Sequence, residues 1–176
     1  MKTGGINETE NMLYLLNSAK NLEDSRYRLY RRNSAKVLNP EGKQALIFLA
    51  DVEKKHLALL KKKIKEIRIG KSLENSRLKA NLPSLIKVSS RKFREGIREL
   101  TGDINIMMMA VELERQDVYF YQNLISLAKE KNTRGLFAFL LEEEKIHRDF
   151  IGKKLVDLQK LSAAISSYGS GIPFPA

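Results

Sequence analysis

The sequence predicts an all-α protein, a four-helix bundle in which one long crossover joins two helical hairpins. Three observations carry this. Four long stretches have helical character and none reads convincingly as a strand. Only a few residues join the first stretch to the second and the third to the fourth, whereas about 33, Gly70 to Gly102, separate the second from the third. Finally, the two halves of the chain repeat one another at a fixed offset of 91 residues.

The first helix is expected over Glu8–Val37, with Asn7 and Glu10 arranged as a capping box in which Asn replaces Ser or Thr. The second spans Pro40–Ile69. Asn39 is a favourable N-cap, Pro40 occupies the first helical position where its missing N–H costs nothing, and Gly70 closes the helix. The third begins near Thr101 or Asp103 and reaches Lys129; the fourth begins near Asn132 and fades near Ser162. Each is about 28–30 residues, or roughly 42–45 Å at 1.5 Å per residue, as bundles require. Short joints force antiparallel neighbours, and the long link suffices to return along the bundle at about 3.3 Å per residue. Within that link, Leu82–Leu100 is expected to form a short helix after Pro83. The chain divides into a bundle, residues 1–162, and a C-terminal tail, residues 163–176.

Composition narrows the chemistry. Cysteine is absent, which excludes disulfides, thiolate zinc sites, Fe–S clusters and thiol catalysis. No apolar run approaches the roughly 18 residues of a membrane span, and Met1–Gly5 has no apolar signal region, so a cytoplasmic protein is expected. The net charge is +11. Its densest run, Lys54, Lys55, Lys61, Lys62, Lys63 and Lys65, has no interleaved aromatic residues for bases to stack on. It reads as a solvated helix face, and nucleic acid is not the expected partner.

The repeat selects residues able to do chemistry. Glu23 matches Glu114, Tyr30 matches Tyr121, Glu53 matches Glu144 and His56 matches His147, all at offset 91. Ala19 with Ala110, Leu22 with Leu113, Phe48 with Phe139 and Leu49 with Leu140 follow the same rule. From ordinary residue frequencies, the second half repeats the two Glu and the Tyr at the right distances from its His by chance about 2 times in 10,000. The chain has 2 His, and both take part.

Helical geometry gives the spacings meaning. Glu53 and His56 project from one face a turn apart, as do Glu144 and His147. Leu46, Leu49 and Leu60 flank the first pair; Phe137, Leu140 and Ile151 flank the second. Ala19 and Ala110 lie one turn before Glu23 and Glu114, where a small side chain leaves room. Carboxylates on apolar stripes are costly to bury without partners, and four facing one another repel. Two divalent cations balance four carboxylates, and two imidazoles give each cation one nitrogen. Glu23, Glu53, His56, Glu114, Glu144 and His147 are therefore the expected ligands of a dinuclear metal centre, a Glu from each of two helices with Glu-x-x-His from the other two. Glu112, Glu142 and Glu143 lie off the ligand face and are expected in solvent, and Met107–Met109 are expected to fill core.

These segments (Leu22-Glu23 to Tyr30, Phe48-Leu49 to Glu53-Lys54-Lys55-His56, Ala110 to Glu114 and Phe120-Tyr121, Phe139-Leu140 to Glu144-Lys145-Ile146-His147) resemble the rubrerythrin branch of the ferritin-like superfamily over about residues 8–160. The resemblance implies a ferritin-like bundle with two iron ions, manganese or zinc being alternatives. It implies a di-iron oxidoreductase that reduces hydrogen peroxide, or oxidises ferrous iron with dioxygen or peroxide, in oxidative stress. On that reading Glu23 and Glu114 are terminal, Glu53 and Glu144 bridge, His56 and His147 are terminal nitrogen ligands, and Tyr30 and Tyr121 orient carboxylates at the reacting centre. It also implies a homodimer. Two departures stand out. Full-length rubrerythrins carry a four-cysteine rubredoxin-like module, so here electrons come from an external donor protein. Members with an extra redox-shifting carboxylate leave only Asp117 as its equivalent, and the matching residue in the first half is Arg26. Iron storage or handling, hydroxylation of an organic substrate, and a polyanion-binding scaffold are the competing functions.

Overall fold

The structure, a computed structural model, describes residues 8–70 and 102–169. Among these it contains four helices and no strand: α1 Glu8–Ser34, α2 Pro40–Gly70, α3 Asp103–Leu127 and α4 Lys131–Gly169. The expected capping role of Asn7, the short helix at Leu82–Leu100, a start at Thr101 and the tail beyond residue 169 lie outside the described residues. No described helix is long and apolar enough to cross a membrane.

The helix ends follow local chemistry. α1 stops at Ser34, short of the expected Val37. The N–H groups of Lys36 and Val37 both close onto the Asn33 carbonyl, at 2.9 and 3.3 Å, and the residue before Pro40 is driven out of helical geometry. The Asn39 side chain then accepts from the Gly42 N–H at 2.9 Å and caps α2. Gly102, at φ 114°, turns the chain into α3 in a conformation that L side chains rarely adopt. α3 ends at Leu127 because Ala128 is extended. The Glu130 carboxylate accepts from the N–H groups of Asn132 and Thr133, at 2.7 and 2.6 Å, and so caps α4 one residue before its expected start. α4 continues past Ser162 to Gly169, since residues 163–168 contain neither Gly nor Pro to stop it.

α1 packs mainly on α2 and α3 on α4; the hairpins meet through α2 with α4 and α1 with α3. Side-chain pairs set the directions. Along α1 and α3, Glu23 meets Tyr121, Arg26 meets Asp117 and Tyr30 meets Glu114, so these helices run antiparallel. His56 with Glu144 and Glu53 with His147 make α2 and α4 antiparallel as well. With α1 and α2 joined by a short turn, α2 and α3 are parallel, the arrangement of the expected single-crossover topology. Asp103 ties the hairpins together where α3 begins. Its carboxylate accepts the N–H of Leu38 at 2.9 Å and of Asn39 at 2.6 Å.

The core has two apolar layers. One gathers Tyr30, Leu46, Leu49, Met107, Ala110 and Ile151; the other gathers Leu16, Ala19, Leu60, Tyr121, Phe137 and Leu140. The offset of 91 exchanges them: Leu46 maps onto Phe137, Leu49 onto Leu140, Leu60 onto Ile151 and Ala19 onto Ala110. A pseudo-twofold axis therefore crosses the bundle between the layers. The methionine run only partly fills core. Met107 is fully buried, but Met108 is 51% exposed, because successive residues point about 100° apart around a helix and three in a row cannot share one face.

Candidate metal centre

Between the two apolar layers lies a polar one. Glu23, Glu53, His56, Glu114, Glu144 and His147 are all buried there, as are Tyr30 and Tyr121. Each helix delivers its share through its apolar stripe. α1 presents Glu23, Arg26 and Tyr30 along one face, and α3 presents Glu114, Asp117 and Tyr121 at the matching positions. α2 and α4 supply the Glu-x-x-His pairs.

His56 Nδ1 lies 3.6 Å from Glu23, 3.5 Å from Glu53 and 3.4 Å from Glu144. His147 Nδ1 lies 3.8 Å from Glu53, 3.8 Å from Glu114 and 3.3 Å from Glu144. The imidazoles stack at 5.4 Å. The donor atoms fall into two groups, each compact enough to hold a metal ion: Glu23, Glu53, His56 and Glu144; and Glu53, Glu114, Glu144 and His147. Glu53 and Glu144 belong to both. The tyrosines cross between halves. Tyr30 donates to Glu114 at 2.6 Å, and Tyr121 donates to Glu23.

The electrostatics are those of anions held together in a dry interior. Burial, then repulsion from Glu144 and Glu23, raises the Glu53 carboxyl well above its ordinary range. Burial and repulsion from Glu144 and Asp117 do the same to Glu114. Burial pushes Glu144 up to about 7, against the pull of His56. For Glu23, burial also opposes ionisation, but Glu53, His56 and Tyr121 outweigh it and hold the carboxyl low. Burial disfavours a charged His56, yet Glu144 and Glu23 overcome it and raise the imidazole to about 10. His147 is lowered by burial and by its neighbour His56, against the attraction of Glu114. Several of these buried atoms have no hydrogen-bond partner among the described residues: Glu23 Oε2, both Glu53 oxygens, His56 Nδ1, Glu114 Oε2 and Glu144 Oε1. Unpartnered buried anions aimed at a common space suit cations. These clusters could hold metal ions.

Two features go beyond the sequence reading. Asp117 is not held out as a spare carboxylate. It forms a two-point ion pair with Arg26, at 2.5 and 2.6 Å, with both side chains buried. Residues 26 and 117 are themselves related by the offset of 91, so the pair straddles the pseudo-twofold axis. Glu143, expected in solvent, is corrected: it is half-buried, and its carboxylate gathers with His56 and His147. It sits one residue from Glu144, and its face of α4 turns toward the imidazoles of both hairpins. Glu112 and Glu142 are exposed, as expected.

No family model and no curated protein matches the chain. Solved structures do. A hypothetical protein from Pyrococcus furiosus aligns at TM-score 0.61 and 21% identity, over 85% of this chain and 91% of that one. A two-domain protein from Anabaena variabilis, containing DJ-1/ThiJ/PfpI-like and ferritin-like domains, aligns at TM-score 0.62 and 16% identity, over 90% of this chain and 41% of that one. The fold is a ferritin-like four-helix bundle. At these identities the likeness extends to the fold alone.

Proposed function

We propose that the chain is a di-iron carboxylate oxidoreductase of rubrerythrin type, reducing hydrogen peroxide or oxidising ferrous iron with electrons from an external donor. One observation carries the reading. Six buried side chains turn donor atoms, many of them unpartnered, into two four-residue groups that share Glu53 and Glu144.

The donor set fits the ions. Four carboxylates balance two divalent cations, and oxygen with imidazole donors suits iron or manganese and admits zinc. Glu53 and Glu144 would span both ions, Glu23 and Glu114 would each serve one, and His56 and His147 would give each a nitrogen. Two bound irons would supply two electrons, the number that peroxide reduction consumes.

The chain's own residues do the rest. Tyr30 and Tyr121 fix the Glu114 and Glu23 carboxylates by hydrogen bonds, which keeps the donors oriented while ions change charge. The apolar layers above and below exclude water and raise the strength of every charge interaction between them. Without cysteine, the chain has no thiolate-held iron of its own to relay electrons. A homodimer in a cytoplasmic setting belongs to the same proposal.

The test is anaerobic metal analysis, followed by ultraviolet–visible stopped flow as the ferrous-loaded protein meets peroxide. Two irons per chain, and oxidation faster than free Fe²⁺ in the same buffer, are expected. Oxidation no faster than that control removes the peroxidase reading. Stable binding of redox-inert zinc, with no uptake of iron or manganese, removes the redox reading altogether.

A further inference from the structure

The two inner groups are buried in a dry layer, and the chain as a whole carries a net charge of +11. Lys54 and Lys55 stand exposed on α2 within a turn of His56. A hydrated divalent cation approaching this face meets repulsion and then a desolvation barrier. Glu143 is the exception in its surroundings. Among the acidic residues of the described cluster, it alone is half-buried rather than buried. Its carboxylate and the two imidazoles have donor atoms within 4.8 Å of one another.

On the two-metal reading above, we propose that Glu143, with His56 and His147, forms a rim site that captures a divalent cation from solvent and hands it to the inner groups. Three features make the site transient. Both imidazoles are shared with the inner groups, and a neutral imidazole nitrogen facing one ion is not free for another. Only one carboxylate serves the rim, whereas three serve each inner group, so charge drives the ion inward. Among the described residues Glu143 accepts no hydrogen bond that would hold it back from solvent; its neighbour Glu142 is instead engaged by Lys145 at 2.7 Å.

The experiment mixes chelator-stripped, full-length protein with Co²⁺ and follows the visible absorption of bound cobalt. E143Q keeps the shape and removes the charge; E142Q makes the same change one residue away on the exposed face. We expect E143Q to load on the order of tenfold more slowly than wild type, to the same final cobalt content, while E142Q loads at the wild-type rate. Equal rates in E143Q and wild type overturn the rim site alone, as does an equal slowing in E142Q, which would make the effect one of general charge. A lower final cobalt content in E143Q makes Glu143 a resident ligand and overturns its transient role. Wild-type protein that takes up no cobalt removes the two-metal reading and the rim site with it.

Discussion

Arg26 and Asp117 occupy equivalent positions in the two halves of the chain, and they bind each other. The guanidinium grips both carboxylate oxygens, at 2.5 and 2.6 Å, beside the polar layer. Burial penalises both charges: it works to lower the Arg26 pKa and raises the Asp117 carboxyl. The pairing outweighs this for Arg26, which ends above its ordinary value, and only partly for Asp117, whose carboxyl stays raised. Next to a pseudo-twofold axis, identical residues would have placed two like charges face to face, so this is where a charged repeat must break its symmetry. Arg26→Ala or Asp117→Ala should each cost about 3–5 kcal/mol, because each leaves a buried charge unpaired, whereas the double change to Leu at both positions should recover much of the loss. Urea denaturation of the three variants checks this. Single variants as stable as wild type would show that water reaches the pair.

The two shared carboxylates should behave differently from the two unshared ones. Glu53→Ala or Glu144→Ala removes a donor common to both groups and should abolish binding of both ions. Glu23→Ala or Glu114→Ala should leave one strong ion per chain. Isothermal titration with Co²⁺ distinguishes the classes. Loss of a single ion in all four variants would mean that no carboxylate is shared.

Tyr30→Phe and Tyr121→Phe each remove one hydroxyl that orients a carboxylate. Outer partners of this kind typically control affinity by about 10–100-fold, and the two variants should weaken binding to a similar degree because their environments are related by the repeat. Competition against a chromophoric chelator reads the affinities. A strong effect in only one would show that the halves have diverged in function despite matching geometry.

Chelator-stripped protein should lose stability as pH rises from about 5 to 8. The Glu144 carboxyl titrates at about 7 in the fold, against 4.5 ordinarily, so the folded state holds a proton that the unfolded chain has released. A group raised in this way contributes fully below its unfolded pKa, and the contribution fades as pH passes the folded value; for Glu144 alone this amounts to about 3 kcal/mol. Glu53 and Glu114 act in the same direction. His56, raised from 6.5 to about 10, adds to the loss above pH 6.5, where its contribution begins to fade. His147, lowered, opposes the trend below its ordinary value of 6.5. Loaded protein should reverse the slope, because cations displace those protons and bind better as pH rises. Urea midpoints at pH 5.5, 7 and 8.5, with and without metal, decide it; a midpoint of stripped protein that climbs with pH would contradict the assignment.

Much of this site was legible in spacing alone. Glu53 and His56 must share a helix face, the offset of 91 brings in Glu144 and His147, and apolar neighbours turn both faces inward. The short joints and the one long link imply the topology. What spacing could not convey was contact between elements. Arg26 and Asp117 carried a visible signal, opposite charges at equivalent positions, but equivalent residues touch only beside the axis, and the location of the axis depends on the register of α1 against α3. Glu143 read as exposed because it lies about 100° around α4 from Glu144; only the placement of His56 on α2 makes that direction part of the cluster. The end of α4 was missed for a simpler reason. Residues 163–168 hold no Gly or Pro to end the helix, which runs on to Gly169.

Each inner group takes three donors from one hairpin and one from the other: Glu144 completes the set of Glu23, Glu53 and His56, and Glu53 completes the set of Glu114, Glu144 and His147. On the two-metal reading the hairpins would be cross-stitched by their cargo, and hairpins that part would drop both ions. Loading would then hold the hairpins together, and the population of parted hairpins should shrink as ions bind.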